Sequence, residues 1–217
     1  MQIALCAFIA FAVTAFSGHW LIPVLKKLNF GQNILEIGPS WHKSKEGTPA
    51  MGGIMFIIGI LFASAAAMFF LADAPATEKI KYGSGLIMAL GYGLLGFIDD
   101  YTKVVKKQNE GLTAKQKLIG QILLAIMFLV GLQLSGTLST VLVIPFIGQI
   151  DIGFLYYPLA VFIIVGASNA VNLTVVIDGL FSSVTFVAAC GFIVMSAILV
   201  HTSMGFMAAA LAGGCAG

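Results

Sequence analysis

With 217 residues, 59% of them hydrophobic, 9% charged and a formal net charge of +2, the chain cannot cover a globular surface with polar groups. A soluble domain carries about a quarter charged residues, so a mean hydropathy of +1.03 excludes that class and makes lipid the main solvent. The apolar runs are continuous rather than alternating, which argues against a transmembrane β-barrel.

A bilayer core needs about 20 apolar residues per crossing helix. The first span covers residues 3–25; no basic stretch precedes it and no cleavage signal follows, so it reads as a retained helix rather than a signal peptide. Further spans follow at 52–71, 84–98, 118–134, 157–170 and 181–200, and a seventh begins near Ser203. The third and fifth are short, and their ends are expected to extend into the flanking polar residues. Between the fourth and fifth, β-branched residues on both sides of Gly148 predict a small extracytoplasmic β-hairpin within 141–156. The expected fold class is all-α, a polytopic transmembrane protein with six to seven helices. The last residues, Gly213 to Gly217, lie inside an unfinished apolar run, so 1–217 is expected to be a single transmembrane domain incomplete at its C-terminus. Cys6, Cys190 and Cys215 read as small hydrophobes. His19, His42 and His201 read as structural or solvated.

Lysine placement orients the helices. There is no arginine, and nine of the eleven lysines fall in two connections. Lys26, Lys27, Lys43 and Lys45 follow the first span; Lys103, Lys106, Lys107, Lys115 and Lys117 follow the third. The positive-inside rule makes that side cytoplasmic. The N-terminus and residues 73–81 and 135–156 are then outside, and 169–178 inside.

Three polar constellations fall on the predicted inner face. Lys45 to Gly53 combines Lys45 with Gly47, Thr48, Pro49, Gly52 and Gly53, a small-side-chain backbone that can approach a phosphate or sugar, or simply a tight loop-to-helix junction. Asp99 and Asp100 end the third apolar run, with Lys103 and Lys107 following at helical spacing. Adjacent carboxylates raise each other's pKa unless a cation lies close. Such a pair can bind Mg²⁺, activate a phosphate or orient a substrate; the plain alternative is a solvated helix end balanced by lysines. Acids at a helix C-terminus oppose its macrodipole, which weighs against that alternative. The third, Ser168 to Leu180, offers Asn169, Asn172 and Asp178, groups that can read a nucleobase or cap a helix. A transporter would need its polar groups at the bilayer midplane, not at one surface.

In this order the three constellations resemble the phospho-N-acetylmuramoyl-pentapeptide transferases, a family of polyprenyl-phosphate N-acetylhexosamine-1-phosphate transferases. The matching residues are Lys45 to Gly53, Gly96 to Tyr101 with Gly111 to Leu118, and Ser168 to Leu180. The resemblance implies ten helices in a complete fold with both termini outside, in a bacterial plasma membrane. It implies transfer of phospho-MurNAc-pentapeptide from UDP to undecaprenyl phosphate, giving lipid I and UMP for peptidoglycan synthesis, with Mg²⁺ as cofactor. It also implies a homodimer, with nucleoside inhibitors or a phage lysis protein as further partners, and no nucleic acid. Carried over residue by residue, Asp99 deprotonates or orients the lipid phosphate, and Asp100 organises the metal–diphosphate region. Lys103 and Lys117 bind phosphate, Lys45 and Asp178 belong to the uracil pocket, and Asn172 lines the nucleoside side. No metal ligand is assigned.

The chain departs from that pattern. Ala50 stands where the family usually has Thr. Val175-Val176-Ile177-Asp178-Gly179 stands where it usually has Asp-Gly-Leu-Asp-Gly, so an active-site carboxylate and a glycine are replaced by two valines. Valine neither binds a cation nor accepts a hydrogen bond, and it disfavours positive φ. The 217 residues alone are therefore expected to be inactive. A related transferase using UDP-GlcNAc and a non-catalytic membrane scaffold or binding partner are the alternatives.

Overall fold

The computed structural model describes residues 1–27, 51–106, 111–173 and 179–217. Among the described residues seven α-helices are formed: α1 (Gln2–Lys27), α2 (Gly53–Phe70), α3 (Ala76–Lys106), α4 (Ala114–Leu134), α5 (Tyr156–Leu173), α6 (Leu180–Leu199) and α7 (Thr202–Ala216). The first six are long and apolar enough to cross a membrane; α7 is shorter.

Small residues make up much of the interior and many large apolar ones face outward, as expected where lipid is the solvent. Ala10, Ala63, Ala67, Ala209 and Ala210 are fully buried, while Phe8, Phe62, Phe69 and Phe162 face outward. Helix α7 packs against α1, α2, α3 and α6. Its Phe206 joins Cys6, Ala67, Leu71, Tyr82 and Ala209 in the main core cluster and stacks on Phe70 at 6.1 Å between ring centroids. Close approach depends on glycine: a Cβ at Gly213 would overlap the Ala7 carbonyl and lie 2.8 Å from the Ala10 Cβ. Gly213→Val is therefore expected to separate α7 from α1 and destabilise the bundle by about 1–3 kcal/mol. A thermal melt in detergent reads this, and an unchanged midpoint would refute the contact.

The α2–α3 connection is shorter than expected. Residues 73–81 were expected to be an outer loop, but α3 starts at Ala76 and includes Lys79 and Lys81. Glu78 bonds Lys81 within the first turns and also accepts from the Ser203 amide at the start of α7. At the other end α3 runs to Lys106. Asp99 and Asp100 therefore lie nearly two turns inside the helix, which corrects the expectation of a helix end. Asp99 and Lys103 stand four residues apart and satisfy each other, so the backbone has no reason to stop at the charge. With 31 residues α3 is about 46 Å long, longer than the ~30 Å hydrocarbon core. Lys81 and Asp99 are separated by about 27 Å along it, which places one charge cluster at each membrane boundary. The fifth span extends into its polar flank as expected: α5 runs to Leu173, so residues 169–173 of the expected inner loop are helical.

The hairpin is present: β1 (Val141–Ile144) pairs antiparallel with β2 (Gly148–Asp151). A 3-10 turn, Gly153–Leu155, leads into α5. Asp151 Oδ1 accepts from Thr140 Oγ1 at 2.6 Å and from the Gly153 amide at 2.9 Å. These two bonds hold its carboxyl below the ordinary carboxylate range. The depressed value makes the bonds' contribution fully present above the unfolded carboxylate pKa, and it fades as pH falls through the folded one. Titrating the Asp151 side-chain carbon by NMR should give a midpoint below about 3.9; a midpoint at or above that value contradicts the bonding.

Candidate active site

Asp99 is the one buried carboxylate among the described residues, with 9% of its surface exposed. Both of its oxygens are engaged. Oδ2 pairs with Lys103 Nζ at 2.7 Å, and Oδ1 accepts from the Leu112 amide at 2.9 Å. Lys103 Nζ also reaches Asp100 Oδ1 at 3.1 Å, so one ammonium bridges the two acids. Their mutual repulsion is thereby offset by a cation held between them. Asp100 differs from its neighbour: its side chain is 42% exposed, and its second oxygen has no partner among the described residues. Lys117 is close enough to attract Asp99 electrostatically. The structure thus brings Asp99, Asp100, Lys103 and Lys117 together.

The loop that reaches Asp99 is fixed by its own sequence. Thr113 and Gln116 form a capping box at the start of α4: the Thr113 hydroxyl accepts from the Gln116 amide, and the Gln116 side chain accepts from the Thr113 amide. This sets the entry angle of Leu112. Gly111 lies directly against the acid. A Cβ there would overlap Asp99 Oδ1 and stand 2.6 Å from the Asp99 carbonyl oxygen. The capping pattern was readable in the sequence, whereas the contact with Asp99 was not.

Asn172 lies on the exposed end of α5. Lys45, Asp178, Lys107, Ala50, Val175 and Val176 lie outside the described residues. Asn169 bonds a neighbouring helix: its amide pairs with that of Gln121, a residue singled out by no motif.

Among the described residues no three His, Cys, Asp or Glu side chains converge as a metal cage. Mg²⁺ usually takes one or two carboxylates and completes its shell with phosphate oxygens and water. The half-exposed Asp100 fits such a role; Asp99, with both oxygens engaged, does not without losing Lys103 or Leu112. A cavity of about 800 Å³ lies elsewhere, between α3, α4, α6 and α7, with Lys81, Tyr156 and His201 in its lining. It belongs to the opposite end of α3 from Asp99.

Comparison with known proteins supports the same region. Residues 82–217 match the glycosyl transferase family 4 profile, and residues 45–57 match the first phospho-N-acetylmuramoyl-pentapeptide-transferase signature. Among curated relatives bearing that transferase's name, the one from Heliobacterium modesticaldum is 44% identical over the whole chain and 66% of its own length. That from Halalkalibacterium halodurans is 41% identical over 96% of this chain and 63% of its own. That from Desulforudis audaxviator is 38% identical over the whole chain and 67% of its own. The chain spans about two thirds of the length of these relatives.

Proposed function

The chain belongs to glycosyl transferase family 4, and from that premise we propose that it is the larger part of an enzyme moving phospho-MurNAc-pentapeptide from UDP to undecaprenyl phosphate. An oxygen of the lipid phosphate attacks the sugar-bearing phosphorus of the donor. The bond from that phosphorus to the bridging oxygen breaks, and UMP leaves. The products are UMP and the lipid diphosphate sugar, lipid I. The observation that carries this reading is the Asp99–Lys103–Asp100 cluster at one membrane boundary, with Lys117 near enough to act on Asp99 electrostatically.

Two polyanions have to meet there, and fixed cations screen their repulsion. Lys103, one third exposed, offers a charge already oriented by two acids. Lys117 supplies a second. The lipid phosphate has a second pKa near 6, so it is largely a dianion at neutral pH and needs no strong base. Asp99 then acts through the lysine it orients, and Asp100 presents the oxygen that has no partner among the described residues to the diphosphate region. Bound Mg²⁺ would supply further neutralisation of the donor diphosphate, with Asp100 as its protein ligand. Lys45, Asn172 and Asp178 are proposed to hold the nucleoside. By the positive-inside rule the lysine-rich ends support a cytoplasmic location for this chemistry, and the assembly is proposed to be a homodimer.

Val175 and Val176 remove a carboxylate and a glycine from the nucleoside side, so the 217 residues as they stand are proposed to be inactive. The test uses a restored chain: Val175→Asp and Val176→Gly, continued by the final third of the Heliobacterium modesticaldum relative. In membranes with Mg²⁺ it should release UMP from UDP-MurNAc-pentapeptide, while the unaltered 217 residues should not. Release from UDP-GlcNAc alone would favour the related transferase. Donor binding without release by the restored chain would favour a scaffold.

A further inference from the structure

Three helices meet in one polar layer beneath the charged cluster. Gln121 of α4 is 3% exposed. Its side-chain amide donates to Asn169 Oδ1 of α5 at 3.3 Å and accepts from Asn169 Nδ2 at 2.8 Å. Asn169 Nδ2 also donates to the Val165 carbonyl at 2.9 Å, which sets its rotamer. From α3, the Tyr92 hydroxyl donates to the main-chain carbonyl of Gln121 at 3.1 Å. A buried amide in an apolar span is costly without a partner, and here the two amides satisfy each other across the interface.

The spacing around this layer is informative. Residues three, four or seven apart share a helix face. Gln121 is four residues from Lys117, Asn169 three from Asn172, and Tyr92 seven from Asp99. Helices α3 and α5 run toward the charged end and α4 runs away from it, so each step leads to the same boundary. Bonding Gln121 to Asn169 therefore turns the Lys117 face of α4 toward the Asn172 face of α5, about one turn nearer the surface. Apart from Val165, α5 buries no side chain among the described residues. At its far end α5 makes a second bond to α4, from the exposed Tyr157 hydroxyl to Gln133 Oε1 at 3.2 Å, so the amide pair is the buried side-chain bond that orients α5 nearer the charged end.

We infer that the Gln121–Asn169 amide pair is a positioning element that sets the rotation of α5 and brings Asn172 across from Lys117. Both are positioning residues: neither contacts the reacting atoms. The pair's catalytic consequence rests on the proposed function, but its geometry does not, so the test reads geometry first.

Spin labels at Lys117→Cys and Asn172→Cys, with the native cysteines replaced, would be followed by pulsed electron resonance in lipid nanodiscs. The full 217-residue chain is expected to give one narrow distance distribution. Gln121→Met and Asn169→Leu should each widen it at least about twofold, while helicity by circular dichroism is retained. The exchange Gln121→Asn with Asn169→Gln keeps the summed length and both amides, and should return it to narrow. In the restored chain the single changes should raise KM for the donor more than they lower kcat, and the exchange should recover it. A distribution unchanged by both single substitutions, or a broad one before any substitution, overturns the inference. So does an exchange no better than the singles. Loss of UMP release with all distances as expected would count against the proposed function and leave the positioning role standing.

Discussion

Gly111→Ala in the restored chain is expected to lower UMP release about a hundredfold. The added methyl would overlap Asp99 Oδ1 and lie 2.6 Å from the Asp99 carbonyl. That carbonyl belongs to the body of α3 and cannot retreat, so the loop or the carboxylate must move. Either movement breaks the Leu112 amide bond to Asp99. Lys103 then loses the fixed oxygen that aims it, and a misplacement of about 1 Å can cost on the order of a hundredfold in rate. Gly96→Ala is the control: it lies on α3, three residues before Asp99, and a Cβ there meets nothing within 4 Å. It should leave the rate unchanged and favour the helix by up to about 1 kcal/mol. Equal rates for the Gly111 and Gly96 variants would show that the loop does not aim the cluster.

The spans were legible because bilayer thickness dictates run length, and runs of that length are rare outside membranes. The hairpin was legible from the β-branched residues around Gly148. That α3 would extend into its polar flank was expected, but not how far, since hydropathy falls at Asp99 while the backbone continues to Lys106. A hydropathy reading stops at charge, but a helix stops only when its hydrogen bonds do, and Asp99 with Lys103 gave it no reason to. The pairing of Asp99 with Lys103 followed from helical spacing and was found. Its burial was not foreseeable, because it comes from Gly111 and Leu112, which reach Asp99 through loop geometry that local pattern does not encode. Gln121 carried a signal that went unread, as an amide in the middle of an apolar run requires a partner. The partner, 48 residues away, could be named only from the structure.

The two acids, adjacent in sequence, are expected to respond differently to removal of charge. Asp99→Asn should lower stability as well as rate. It withdraws one of two counter-charges from Lys103 and weakens the bond from the Leu112 amide. Hydrogen bonds to charged groups are worth about 1.5–3 kcal/mol. Lys103 is 37% exposed, so solvent screening brings the expected loss to about 1–2 kcal/mol. For a chain of this length that lowers Tm by roughly 2–8 °C. Asp100→Asn removes an acid whose side chain is 42% exposed and whose one side-chain partner among the described residues, Lys103, is shared with Asp99. Its Tm should stay within about 1 °C, while UMP release should fall by about a hundredfold to a thousandfold, the loss typical of one electrostatic group at a reacting centre. The separation of the two effects is the informative quantity. If both variants lose stability equally, Asp100 is part of the α3–α4 lock rather than of the substrate surface. If Asp99→Asn melts normally but is inactive, then Asp99 meets the phosphate directly, and its bonds to Lys103 and Leu112 exchange when substrate arrives.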